Sequence, residues 1–345
     1  MTKDNLAVRA AKTAGVVVLA AGVGAATSYV STKLLMKLAM DRTDPEKLEE
    51  VNQIISGFTA DNAFFQYVDE KSKELAAVEN ETVTITSHDG LSLVGHFIPA
   101  EDPERIIIAV HGWRSSWHRD FGPCADTWKN SHCSVLYIEQ RGQNNSEGDY
   151  IGFGLTERYD VLDWVNWVIA HFDETDDPVS VAHRDLPIYL SGVSMGATTV
   201  LMAAGLDLPD RVHGISADCG FTSPQAIWKH VVTHNLHLPY GISGEIADSV
   251  FREKLEIGSK DYSTTEALSG THIPVLLIHG TEDHFVPVEM TYENYKAAAG
   301  PKRLFIVPGA DHGMSYYLEK EQYEETVRRF WAEFDHPEKK EGSHA

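Results

Sequence analysis

The chain has 345 residues, of which 43% are hydrophobic. That suffices for one large, well-filled domain with appendages. Acidic residues number 51 against 29 basic ones, a net charge of −22, which argues against a nucleic-acid groove and against attachment to anionic lipid by charge alone. Three cysteines, Cys124, Cys133 and Cys219, lack C-x-x-C spacing; this excludes a disulfide framework or a zinc ribbon and reads as buried free thiols.

The first element is an uncharged run from Thr13 to Thr32, set between Lys12 and Lys33. Its length is about that needed to cross the hydrocarbon of a bilayer. A membrane anchor, a signal peptide cleaved near Ala25-Ala26 and a soluble helix all fit it; the anchor is the expectation carried forward. Basic flanks on the two sides are nearly balanced, so charge does not orient it. Residues 1–32 are thus read as a tail plus hydrophobic helix, and residues 33–80 as a helical stalk or packing appendage, with Asp44-Pro45 as a helix start. The candidate catalytic residues all lie beyond position 100, so removal of residues 1–42 is expected to leave a soluble, active enzyme.

A hairpin is expected next, from Glu81–Ser87 and Leu91–Ile98 joined through His88-Asp89-Gly90. Apolar runs at 105–111, 133–138, 187–193, 213–218, 274–279 and 303–308 then alternate with helical stretches. That pattern predicts an α/β domain over 81–335, a mostly parallel, doubly wound sheet with an antiparallel first hairpin and active residues at the carboxyl ends of strands. Between Glu157 and Phe172, the residues Val161, Trp164, Val165, Val168 and Phe172 recur at helical spacing and read as core. An insert at about 221–269 reads as a short helical cap. It carries His230, His234 and His237, a spacing that would suit a metal, but the glutamate of H-E-x-x-H and a second ligand cluster are missing; half-buried lid histidines are the reading taken. The tail 336–345 reads as disordered.

The chemistry concentrates in four strand ends. Leu186-Pro-Ile-Tyr-Leu-Ser-Gly192-Val-Ser194-Met195-Gly196 places a G-x-S-x-G elbow between a strand and a helix, with small residues where the backbone must turn tightly. The run Arg105 to His111-Gly112-Trp113 ends in a loop whose Trp113 backbone N–H, with that of Met195, can face a developing oxyanion. The strand before Gly280-Thr-Glu-Asp283 presents a carboxylate, and the one before Gly309-Ala-Asp-His312-Gly313 presents an imidazole. The serine needs the imidazole as base, and the imidazole needs the acid to fix its tautomer. Asp218, also at a strand end, is the alternative acid. His111 and His279, before glycines, read as loop-shaping hydrogen-bonders, and Asp311 as a loop cap.

With its order Ser, Asp, His, the chain resembles serine hydrolases of the α/β-hydrolase superfamily over roughly residues 80–335. The segment Glu139-Gln140-Arg141-Gly142-Gln-Asn-Asn-Ser146-Glu-Gly148 is similar to their Asp-x-Arg-Gly-x-Gly-x-Ser-x-Gly loop. It departs at Glu139-Gln140 and at Asn144, where a glycine is usual. Together with the amino-terminal run, the chain resembles most the membrane-bound cell-surface hydrolases of Gram-positive bacteria. The resemblance implies a location and a reaction class but no substrate; the residues themselves are read as those of a carboxylesterase-like enzyme working without cofactor or metal on a small-molecule ester or other acyl substrate. Residues 13–32 would hold it to a membrane as a single-pass protein with the catalytic domain outside; without that anchor it would be cytoplasmic. Thioesterase, amidase and small-peptidase activities use the same residues, and a membrane-tethered, non-catalytic binding protein is the alternative of another class.

Overall fold

In a computed structural model, the protein is described over residues 28–42, 62–174 and 176–335. Most of the uncharged run, residues 13–27, and the tail beyond residue 335 lie outside the described residues. No described helix is long and apolar enough to cross a membrane.

Helix α1 (residues 28–40) buries Thr32, Met36, Ala39 and Met40, one stripe at helical spacing. Helix α2 (Asn62–Ala76) follows. The hairpin strands β1 (Glu81–Thr86) and β2 (Ser92–Ile98) alternate between buried and more exposed positions, as one-sided antiparallel strands do. Strands β3 (Arg105–Val110), β4 (Cys133–Ile138) and β7 (Val275–Gly280) are buried at every position, because helices cover both faces of a parallel sheet. With β5 (Ile188–Val193), β6 (Val212–Asp218) and β8 (Lys302–Val307) they form one eight-stranded sheet, ordered β1-β2-β4-β3-β5-β6-β7-β8. β1–β2 and β2–β4 pair antiparallel, and every other pair is parallel. This is the α/β-hydrolase fold that the sequence predicts.

The two faces of β3 show how the core divides. Ile106, Ile108 and Val110 point into a cluster with Val161, Trp164 and Val168 of helix α4 (Glu157–Asp173). Ile107 and Ala109 point the other way, toward Trp117, Phe121 and Trp128 of helix α3 (Trp117–Asn130) and Trp331. The period of two assigns them. Helix α2 lies against α3 so closely that a Cβ on Gly122 would meet the Lys71 carbonyl carbon at 2.6 Å.

Helix α1 is not peripheral, and this corrects the expectation for a cut at residue 42. Met36 and Met40 share a buried cluster with Leu155, Met202 and Phe251. The Ile151 N–H donates to the Met40 carbonyl at 2.7 Å, and the Arg42 N–H donates to Asp149 O at 2.8 Å. Removing residues 1–42 would therefore open part of the core; the sequence reads this stretch as part of a helical stalk or packing appendage, because the partners of its buried side chains come from distant segments.

Candidate active site

The turn after β5 is set by two glycines. A Cβ on Gly196 would collide with the Val110 carbonyl oxygen, and one on Gly192 with the Gly196 carbonyl. Ser194 sits between them at φ 55° and ψ −118°, a conformation that side-chain-bearing residues rarely adopt. Its N–H donates to the Asp218 carbonyl at 2.8 Å, tying the elbow to β6. Helix α6 (Met195–Ala203) begins at the next residue. The Met195 N–H is thus among the first-turn donors that a helix leaves without an intrahelical partner.

His312 stands over this turn. Its Nε2 lies 2.9 Å from Ser194 Oγ, and its Nδ1 lies 2.7 Å from Asp283 Oδ2. The Asp283 side chain is fully buried. Its Oδ1 accepts the Phe285 and Val286 N–H groups at 2.9 and 2.7 Å, and its Oδ2 faces His279 Nε2 at 3.0 Å. His279 Nδ1 in turn meets the Thr291 hydroxyl at 2.6 Å. Burial alone would raise the Asp283 pKa, but the His312 charge and the bonds from His279 and His312 hold it well below the usual carboxylate range. For His312 burial favours the neutral ring, yet the Asp283 carboxylate outweighs it and raises its pKa well above the ordinary value. The edge of Phe285 packs on the imidazole at 5.2 Å between centroids, and the Asp311 carboxylate accepts the His284 and His312 N–H groups at 3.0 and 2.8 Å.

Asp218 is buried at the end of β6 and accepts from Ser315 Oγ at 3.1 Å. Burial raises its pKa. The Nδ1 atom of His312 is taken by Asp283, so of the two candidate acids the structure joins Asp283 to the imidazole.

The loop after β3 runs directly beside the serine: a Cβ on Gly112 would lie 3.3 Å from Ser194 Cβ. This brings the Trp113 backbone next to the nucleophile. His111 is buried, with Nδ1 at 2.8 Å from the Gly112 carbonyl and Nε2 accepting the Gln140 N–H at 3.1 Å. Burial lowers its pKa, so it shapes the loop as a neutral ring. The departures in the 139–148 segment become intelligible here. Gln140 donates its amide to the His111 carbonyl and accepts from Thr199, while the Glu139 carboxylate holds His96 and Asn145. Asn144 has φ +49°, a left-handed conformation that asparagine tolerates better than most, and its side-chain amide donates to Ser115 O at 2.9 Å.

Three residues that shape the site, Asp120, Gln143 and Cys219, are not legible in the sequence, nor is the contact made by the Trp113 indole. Asp120 accepts the Gly112 N–H at 2.6 Å, and Gln143 accepts the Arg114 N–H at 2.6 Å; both need the fold to reach the loop. Trp113 Nε1 donates to the Ala39 carbonyl at 2.9 Å, joining the loop to α1. Cys219, one residue past β6 and buried, puts its sulfur within 4.8 Å of the ligand atoms of Asp283 and His312. Burial pushes its thiol up to about 11. In the cap, His230 and His234 stack face to face at 4.6 Å between centroids. Among the described residues, the groups close enough to share a metal ion are Cys219–Asp283–His312 and His88–Asp160–Asp163, and the cap histidines are not among them.

Comparison with known proteins places this geometry. Uncharacterized protein YqkD of Bacillus subtilis is 27% identical over 263 residues, covering 73% of this chain and 79% of its own length. Among solved structures, an esterase of Pyrococcus furiosus, Pf2001, superposes with a TM-score of 0.60 at 21% identity, covering 76% of this chain and 94% of that one. The acylaminoacyl peptidase of Pyrococcus horikoshii superposes with a TM-score of 0.55 at 16% identity, covering 80% of this chain but 44% of the peptidase. The prolyl oligopeptidase family matches residues 152–335, more than half of the sequence and the part that holds the elbow, Asp283 and His312, so the chain belongs to that family and is a serine hydrolase.

Proposed function

We propose that the protein cleaves carboxylic esters through an acyl-enzyme, with Ser194 as nucleophile. His312 Nε2 takes the Ser194 proton as Oγ bonds to the carbonyl carbon, and the carbonyl electrons move onto oxygen. The backbone N–H groups of Trp113 and Met195 hold that oxyanion. Collapse of the tetrahedral intermediate breaks the ester C–O bond, and His312 returns the proton to the departing alcohol. Water then attacks the acyl-serine by the same proton route and releases the acid. Asp283 keeps the Nδ1 proton of the ring in place throughout. The continuous hydrogen-bond path Ser194 Oγ–His312–Asp283 is the observation that carries this reading.

The choice of ester over peptide is supported by the likeness to the P. furiosus esterase, which superposes with a TM-score of 0.60 against 0.55 for the acylaminoacyl peptidase. The experiment is to label the protein with a fluorophosphonate, wild type beside Ser194→Ala, and to compare matched ester, thioester and anilide substrates. Labelling lost in the variant, with the ester turned over fastest, is expected. An unlabelled wild type overturns the nucleophile, and faster anilide cleavage overturns the ester.

We also propose that residues 13–31 anchor the enzyme in a membrane with the catalytic domain outside. The length of the uncharged run and the resemblance to cell-surface hydrolases support it.

A further inference from the structure

Beside the triad lies an apolar slot that the reaction itself does not require. Leu35, Met36 and Ala39 of α1 form one side, and Trp113, Phe153 and Phe285 lie along it with residues of the cap and Phe251. The cap contributes helix α7 (Pro224–His230) and the π-helical turn Val231–Asn235 through Ile227, Trp228, Val231 and Leu236. The slot is narrow, with a cavity volume of about 50 Å³. Two of its walls belong to the reaction centre: Trp113 follows the glycine packed on Ser194, and Phe285 packs edge-on to His312.

Helix α1 lines the slot through Leu35, Met36 and Ala39, and its attachment is specific. The Trp113 indole donates to the Ala39 carbonyl at 2.9 Å, and the Arg114 guanidinium donates to the carbonyls of Leu38 and Asp41, the latter at 3.0 Å. A cation at the carboxyl end of a helix meets both its free carbonyls and its negative dipole end. Consecutive residues of the oxyanion loop therefore grip the last turn of α1, while the side chains one turn earlier face the slot.

We propose that α1 is the specificity wall of this enzyme, and that Met36 and Ala39 limit the length of a short, unbranched acyl chain held in the slot. The inference rests on the esterase reading for the direction of the substrate, with the carbonyl at Ser194 and the apolar chain running toward α1. A chain entering this slot leaves water for a lining that is almost wholly apolar. Each added methylene should improve binding about fourfold until the chain meets α1.

The test separates binding from turnover. Straight-chain amides from acetamide to decanamide, neutral analogues of the acyl group, are titrated calorimetrically into wild type, Met36→Ala and Ala39→Leu, and the matching esters are assayed for kcat/KM. Met36→Ala should lengthen the best-bound chain and Ala39→Leu should shorten it, with the kcat/KM optimum moving in step. Identical length profiles in the three proteins, or no dependence of binding on length in the wild type, overturn the wall. Shifted amide profiles with no ester turnover leave the wall standing and overturn the esterase reading. Because Met36 is buried, a poorly folded Met36→Ala would leave Ala39→Leu to decide, as a chain-length optimum shortened or unmoved.

Discussion

At the scale of single residues, the site places two acids near one another and uses them differently. Asp283 meets His312 directly, whereas Asp218 meets Ser315 and offers the elbow only its backbone carbonyl. Asp283→Asn should therefore lower kcat by about 10⁴-fold through loss of the correct ring tautomer. Asp218→Asn should cost far less, and a reversed order in the assay would move the acid to β6. The pH profile follows from the same pair. His312 must be neutral to accept the serine proton, and the Asp283 carboxylate raises its pKa. Activity should then fall on acidification with a midpoint above the ordinary histidine value of about 6.5. In Asp283→Asn burial acts unopposed by that charge, so the residual activity should fall at a lower pH than in the wild type. A kcat/KM profile of both proteins checks the sign. The triad was legible because each member lies just past a strand in a short loop marked by glycine: Gly192 and Gly196 around Ser194, Gly280 before Asp283, Gly309 and Gly313 around His312. Asp120, Gln143 and Cys219 were not, because their chemistry depends on chain segments that only the fold brings alongside.

At the scale of elements, the strands and the elbow could be read from apolar runs and glycines, since a fully buried parallel strand has few other ways to be written, whereas the order of strands in the sheet came from the fold. The elbow's glycines carry a measurable demand. Gly196→Ala would press a methyl group into the Val110 carbonyl oxygen, so it should destabilise the fold by about 1–3 kcal/mol or more. Denaturant unfolding at constant slope measures that loss, and an unchanged midpoint would mean that β3 and α6 are not so closely apposed. Helix α1 was the misjudged element. Its sequence reads as the start of a helical stalk, and only the structure shows that Thr32, Met36, Ala39 and Met40 are buried. Met36 and Met40 are at most 1% exposed, and burying each such side chain contributes about 1.5–3 kcal/mol. Truncation after residue 27 should accordingly preserve the melting temperature and ester turnover, while truncation after residue 42 should lower both. Equal melting temperatures for the two truncations would show that α1 contributes nothing to the body.

At the scale of the whole molecule, charge and the placement of α1 constrain how the enzyme can meet a membrane. A net charge of −22 repels an anionic lipid surface rather than drawing the body to it, so the proposed association would have to come from apolar insertion. The length available is bounded. Thr32 is 3% exposed and Met36 1%, so the stretch from Thr32 to Met40 is already packed on the catalytic body. Only residues 13–31 remain for the bilayer, at 1.5 Å per residue just about enough to cross a hydrocarbon core of roughly 30 Å. Tyr29 and Val30 at the start of α1 are 48% and 65% exposed, consistent with a surface from which such a segment departs. Full-length protein should therefore sediment with membranes and resist both high salt and carbonate, while the truncation after residue 27 should be soluble. Protease added to intact cells should remove the catalytic domain if it lies outside; survival in intact cells with loss on lysis would put it inside. Because α1 leads from the anchor directly to the wall of the acyl slot, the anchored enzyme would hold its active site close to the bilayer surface. Recovery of the full-length chain in the soluble fraction would reject the anchor and leave α1 solely as a wall of the site.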